Sequence, residues 1–340
     1  MKAQHQCGRQ TWKFLHDIRI QGSAVAVGPL EGEGPLAAEF DHIHPDMYAG
    51  QASWEKAERY MMYQAVQTAI KKSNLLESEI DIVLAGDLLN QTISSNFTAS
   101  QLNIPLIGMF GACSTSMETL SVGAALIDAG YASYIIATCS SHNCTAEKQF
   151  RYPTEYGGQK PEYAQWTVTG AGAAVVGRGG AGPRITHATI GKVVDMGIKD
   201  PFDMGSAMAP AAVDTLSTHF RDTDRMPSDY DLIVTGDLGK VGYAILKDEM
   251  KDLAFEMTPV YNDCGLMIYS PDQQVFSGGS GCASSAVVTY SYIMNRLREG
   301  SIKRALVCAT GALFSPVSYQ QGESIPCIAH AVALEAVEEV

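Results

Sequence analysis

One hydrophobic pattern occurs twice along the chain. Ile82-Val83-Leu84-Ala85 and Leu232-Ile233-Val234-Thr235 are short apolar runs, each preceded by a Ser/acidic turn (Ser78-Glu79, Ser228-Asp229). Each ends in Gly-Asp-Leu, at Gly86-Asp87-Leu88 and Gly236-Asp237-Leu238. The match keeps one constant offset, Asp81 onto Asp231, and extends upstream. There Tyr63, Val66 and Ile70 fall onto Val213, Leu216 and Phe220, with the i, i+3, i+7 spacing of one helical face. Each copy therefore predicts a helix, a turn and a buried strand.

Further on, each copy has a Gly-rich turn with a cysteine, then a helix and another strand. In the first these are Gly111-Ala112-Cys113-Ser114, a helix to Gly130 and Tyr134 to Thr138. In the second they are Gly278 to Cys282, a helix to Gly300 and Ala305 to Thr310. The longer spacing there predicts an insertion within Lys247 to Asp272. Strands alternating with helices in two similar halves predict an α/β protein with internal pseudo-twofold symmetry. The flexible stretch Gly177 to Pro183 marks the join, with halves at residues 1–178 and 184–340. A lid loop is expected at 144–169, because Gln149 to Lys160 follows neither period and is too long for a plain connection.

Charge narrows the partners. With 24 Lys+Arg against 37 Asp+Glu in 340 residues, the net charge of −13 excludes a broad nucleic-acid surface. It leaves room for one small anion at a local site. The eight cysteines form no Cys-x-x-Cys pair and no zinc-type cluster, which points to reduced thiols in an intracellular setting. Residues 1–22 lack the apolar core of a secretory signal, and no run of roughly 18 apolar residues is present to span a bilayer. A cytoplasmic-type soluble protein is expected.

Cys113 is the sharpest site candidate. Ile104 to Phe110 reads as a buried strand and Ser114 to Ala129 as a helix, so Cys113 sits on the turn between them. Unpaired N–H groups and the helix dipole at such a position lower a thiol pKa and receive a carboxylate. A small buried cysteine packed on the sheet is the plainer alternative.

Gly111-Ala112-Cys113-Ser114 at the head of the first half's central helix resembles the thiolase superfamily. Val168 to Val176 is similar to the Gly-rich strand of ketoacyl synthases, and Pro326 to Glu335 to the terminal Cys-containing segment of thiolases. A closer likeness runs through Gly86 to Gln91, Phe110 to Glu118, Gln149 to Pro161, Asp203 to Ala212, Asn262 to Tyr269, Pro271 to Ala283 and Glu323 to His330. These segments resemble the stage V sporulation protein AD family of spore-forming bacteria. The resemblance implies a duplicated, five-layered α-β-α-β-α thiolase-like fold, a homodimer and no cofactor. It also implies binding of pyridine-2,6-dicarboxylate (dipicolinate), alone or as its calcium chelate, with Ca²⁺ entering only alongside the ligand. The partners implied are membrane proteins of the same stage V sporulation A operon, which would hold the chain peripherally at the spore inner membrane.

Condensing enzymes of the superfamily pair the cysteine with His or Asn. Here Thr235-Gly236-Asp237-Leu238-Gly239 has neither, and Ser277-Gly278-Gly279-Ser280-Gly281-Cys282 stands where thiolases carry Gly-His-Pro. Cys113 is then a relic nucleophile in a binding pocket. Cys113, with the amides around Gly279 and Ser280, would receive the two carboxylates. Arg151, Lys160, Lys192 and His330 are candidate cations, Tyr152 and Tyr156 candidate stacking partners, and His142 a further candidate at the sheet edge. Arg151 suits a carboxylate best, since only a guanidinium binds it bidentately. Lys160 and Lys192 read as solvated, Asp87 and Asp237 as turn caps, and Asp195 as a cation ligand lacking a second carboxylate. Three functions remain open: a non-enzymatic dipicolinate-binding transport component, an acyltransferase or condensing enzyme using Cys113, and a scaffold with a vestigial pocket.

Overall fold

The computed structural model describes residues 3–150 and 160–336. Among the described residues five principal strands make up each half, and the short His42–Ile43 pairs alongside the first of them. In the first they are β1 (Thr11–Val27), β2 (Ile82–Asp87), β3 (Leu106–Gly108), β4 (Tyr134–Ser141) and β5 (Gly170–Arg178). In the second they are β6 (Arg184–Thr189), β7 (Leu232–Thr235), β8 (Tyr261–Asp263), β9 (Arg304–Ala312) and β10 (Cys327–Glu335). The strand order β3-β2-β4-β5-β1 in one half is repeated as β8-β7-β9-β10-β6 in the other. In both, the first three strands of that order are parallel and the remaining pairings antiparallel. The long β1 joins the halves: Ile18 to Val27 pairs with β5, and Thr11 to Lys13 with β6.

Alternation along the strands shows the layers. Leu84 of β2 and Val176 of β5 share one core cluster with Val307 of β9 and Leu334 of β10, and Leu120 of helix α3 (Thr115–Asp128) lies among them. Their neighbours Val83 and Val175 face outward onto Met61 and Val66 of helix α1 (Trp54–Lys72). On the far side Leu306 and Ile233 meet Leu216 and Phe220 of helix α5 (Met204–Thr223). The helical run starting at Cys282–Val288 shares the middle layer with α3. Helix, sheet, helix, sheet, helix is the five-layered thiolase-like arrangement. Local signals set the outer helices: Ser53 caps α1 by accepting from Lys56 N at 3.3 Å, and Asp203 caps α5 by accepting from Ser206 N at 3.3 Å.

Three sequence expectations change. Of residues 104–110 only Leu106–Gly108 form a strand, and it lies at the sheet edge, with Ile107 45% exposed and the following Phe110 48%, because β3 has a neighbour on one side only. The extra residues of the second half lie at 264–277, between β8 and the Gly-rich turn, since β8 itself is the counterpart of β3. They cover the buried Glu31, to which Tyr269 donates at 2.6 Å. The lid begins as a helix, α4 (Asn143–Phe150), rather than as loop.

Candidate functional site

Cys113 projects from a short helical turn, Ala112–Ser114, between β3 and α3. Side chains lock that turn: Ser114 Oγ donates to Gly111 O at 2.7 Å and Thr115 Oγ1 to Ala112 O at 2.7 Å. Ala112 has φ of +50°, a left-handed conformation that costs a non-glycine residue energy and holds the thiol outward. The turn rests on the backbone of β9 at Gly311. A Cβ there would fall 2.3 Å from Gly111 O and 3.2 Å from Cys113 N.

The second half brings up the other wall. Gly279–Ser280 pairs with Trp166–Thr167 in a two-stranded ladder, placing Ser280 beside Cys113. Behind both lies Asp237, fully buried at the end of β7. Its Oδ2 accepts from Gly281 N at 3.0 Å and Ser280 Oγ at 3.2 Å, and its Oδ1 from Thr310 Oγ1 at 2.6 Å. The Cys113 thiol neighbours this carboxylate, which acts on its ionisation. Gln165 Nε2 clamps the Asp237 carbonyl at 2.5 Å.

Electrostatics then run opposite to the helix-dipole expectation. Burial and the Asp237 carboxylate push the Cys113 thiol well above its usual range, so it stays protonated. Burial lifts Asp237 to about 6 and its neighbour Asp263 to about 7. In front of Cys113 and Ser280 opens a narrow cleft of about 60 Å³, walled mainly by Leu88, Phe110, Phe150, Met204 and Phe314. A wider mouth of about 480 Å³, bordered by Asn90, Gln91, Gln149 and Pro316, leads into it. Phe150 and Phe314 close the boundary with ring centres 5.9 Å apart.

The proposed ligand groups separate sharply. Cys113 and Ser280 line the cleft; Gly279 stands in the adjoining ladder. The Gly281 amide and Ser280 hydroxyl do not await a ligand carboxylate, because Asp237 already takes both. His142 turns away: Nε2 donates to Met47 O at 2.8 Å, Nδ1 accepts from Cys144 N at 3.1 Å, and burial keeps the ring neutral. His330 is likewise a neutral structural residue, accepting from Gly191 N at 3.3 Å with its pKa lowered by burial to about 4. Lys160 pairs with Glu147 at 2.6 Å and Lys192 with Asp214 at 2.7 Å. Asp195 caps Gly197 N at 2.9 Å and accepts from Ser324 Oγ at 2.6 Å, and no metal-binding group forms among the described residues. Arg151, Tyr152 and Tyr156 lie outside the described residues.

Sequence reasoning missed Asp237 as a site residue, although a Gly-Asp pair at the carboxyl end of a strand is where open α/β sheets place ligand groups. It also missed Gly311 and the apolar wall. No described helix is long and apolar enough to cross a membrane.

The sequence profile described as Stage V sporulation protein AD (SpoVAD) matches residues 8–335. The chain belongs to the SpoVAD family. It is 56% identical to stage V sporulation protein AD of Bacillus subtilis strain 168 over 328 residues, covering 96% of this chain and 97% of that protein. Solved structures place this SpoVAD-family chain in the thiolase fold. OleA of Xanthomonas campestris matches with a TM-score of 0.61 and 14% identity, over 95% of this chain and 99% of that one. The 3-oxoacyl-[acyl-carrier-protein] synthase III of Aquifex aeolicus matches at 0.58 and 14%, over 94% and 99%. Human mitochondrial 3-ketoacyl-CoA thiolase, in complex with CoA, matches at 0.58 and 12%, over 96% and 99%.

Proposed function

We propose that this SpoVAD-family chain acts in sporulation as a non-enzymatic binding component for dipicolinate, with the Cys113 cleft as its site. The observation that carries the reading is the pairing of Cys113 with Asp237. Condensation needs a thiolate and a partner that releases protons or polarises a carbonyl. Here burial, with a neighbouring carboxylate, holds the thiol protonated, and the condensing enzymes' His and Asn are absent from 235–239. An apolar cleft with aromatic walls suits a flat ring. The ligand's negative charge is met by Arg151, next in sequence to Phe150, or by Ca²⁺ carried in with it. The chain works as a homodimer joined along β3, and it meets membrane proteins of its operon at the spore inner membrane.

Isothermal titration with dipicolinate, with and without Ca²⁺, tests this reading. Binding that weakens in Cys113→Ala supports it; no binding under either condition overturns it. The strained turn under Cys113 favours one alternative, a thiolase-type acyltransferase. Exchange of an acyl group from acyl-coenzyme A that disappears in Cys113→Ala would establish that alternative.

A further inference from the structure

The cleft has a weakness as an anion site: of its polar lining side chains, Cys113, Thr167 and Ser280, the two beside Asp237 are already committed. Ser280 Oγ donates to Asp237 Oδ2 at 3.2 Å, and the same carboxylate favours the protonated form of the neighbouring Cys113 thiol. While Asp237 is ionised, both wall residues therefore present lone pairs to the cleft, with a buried negative charge behind them. At Cys113 and Ser280 an arriving carboxylate meets acceptors only, an arrangement that is costly in an apolar enclosure.

Among the described residues no cation offsets that charge. The turn 112–114 contributes the Cys113 thiol, the 279–281 segment Ser280 and the Gly281 amide, and β9 the Thr310 hydroxyl. From the end of β8 comes a second carboxyl, Asp263, which accepts from Leu238 N at 2.8 Å and Thr235 Oγ1 at 2.7 Å. The remaining titratable neighbours are the thiols of Cys264 and Cys327, both made harder to ionise by this carboxylate. No Lys, Arg or His among the described residues is seen to pair with Asp237.

Resting on the dipicolinate reading, we infer that Asp237 is the proton switch of the cleft: a free anionic ligand binds with uptake of one proton onto Asp237, which releases the Ser280 hydroxyl and Cys113 thiol to donate to the ligand. The proton comes from solvent, and no covalent bond forms. Protonated on Oδ2, Asp237 donates its new hydroxyl to Ser280 Oγ, the hydroxyl oxygen still accepts from Gly281 N, and Oδ1 keeps the Thr310 contact. Burial has already brought the group near neutrality, so the proton uptake is inexpensive there. Asp237 is a positioning residue, acting through Cys113 and Ser280.

The test is calorimetric titration of the wild-type protein with dipicolinate, without Ca²⁺, from pH 6 to 8. Each pH is run in two buffers of different ionisation enthalpy. Ordinary carboxyl pKa values near 4 leave the ligand ionised throughout. The inference predicts uptake of close to one proton per ligand at pH 7.5 and an affinity falling about tenfold per pH unit above the free-state pKa. In Asp237→Asn the pH dependence vanishes. If that variant does not fold, the wild-type proton count still decides. Binding with no proton uptake and a flat pH profile overturns the switch and leaves the dipicolinate reading standing. Absence of binding across the whole range overturns that reading itself, and the switch with it.

Discussion

Asp87 and Asp237 take equivalent places at the carboxyl ends of β2 and β7, yet only Asp237 is seen to raise the pKa of the Cys113 thiol. Asp87 accepts from Leu89 N at 3.0 Å and from Ser95 N and Oγ at 2.8 and 2.7 Å, all within its own half. Asp237 instead reaches across to Cys113 of the other half. Duplication supplied two similar caps, and the crossing of halves turned one into the floor of a cleft.

The first prediction concerns that thiol. Wild-type Cys113 reacts with iodoacetamide at pH 8 far more slowly than an unhindered cysteine, because thiolate is the nucleophile and its fraction is suppressed. Removing the negative charge in Asp237→Asn raises the rate by about tenfold, the effect of one pKa unit. Peptide mapping of the alkylated protein reads the rate at Cys113 alone. An unchanged rate in the variant would separate the thiol from the carboxylate.

How much of this was legible in the chain depends on sequence distance. The repeat Ser78–Leu88 onto Ser228–Leu238 announced the two halves, because buried strands write their burial into short apolar runs. The strand-turn-helix around Cys113 is equally local. The Cys113–Asp237 contact is not, since it joins residues in different halves through the packing of two sheets. The partners of His142, just past β4, and of His330, within β10, were hidden for a related reason: position on a strand does not say which way a ring turns. The edge character of β3 was hidden too, because Leu106-Ile107 is as apolar as a central strand.

Gly311 gives a second prediction. Its missing side chain lets β9 pass directly under the Cys113 turn, where an added Cβ would sit 2.3 Å from a backbone oxygen. Gly311→Ala is expected to displace the turn, with dipicolinate binding lost and stability lowered by about 1–3 kcal/mol, the usual range for overpacking. Titration calorimetry beside a urea melt checks both. Full binding in the variant would mean that the turn is free to move.

Buried histidines set a third. His219 lies between Thr189 Oγ1 at 2.7 Å and Tyr230 OH at 2.6 Å, and burial holds its pKa at about 3. The folded pKa is below the unfolded value of about 6.5, so the unfolded chain binds the extra proton first. Stability from neutral His219 is complete above pH 6.5 and is lost as pH falls towards 3. Between pH 7 and pH 5 the loss is about 2 kcal/mol. Urea melts of wild type and His219→Gln should show the gap between them shrinking by that amount over the same interval.

Glu58 gives the opposite slope. It is buried beneath Ser140 and Thr145, which donate to it at 3.0 and 2.7 Å, and burial together with Asp87 pushes its pKa up. The folded state keeps a proton that the unfolded chain releases near pH 4.5, so the contribution of Glu58 declines as pH rises above that value. Glu58→Gln retains an acceptor and cannot ionise. It should gain on wild type in melting temperature steadily from pH 5 to pH 8, and parallel curves would show that Glu58 is ionised in the fold.

The edge of β3 carries the last prediction. Ile107 and Phe110 on this strand and its turn are 45% and 48% exposed, and Phe97 of the neighbouring helix is 51% exposed. An open strand edge flanked by apolar side chains invites a second strand, and a paired copy removes that hazard. Ile107→Asp puts a charge where strand-to-strand packing needs an apolar group, while leaving the core untouched. Sedimentation velocity is expected to show a dimer for wild type and a monomer for the variant, with unchanged circular dichroism. Phe110 also walls the cleft, so the monomer is expected to bind dipicolinate less tightly, which couples assembly to the site. A wild-type protein that sediments as a monomer would remove both expectations together.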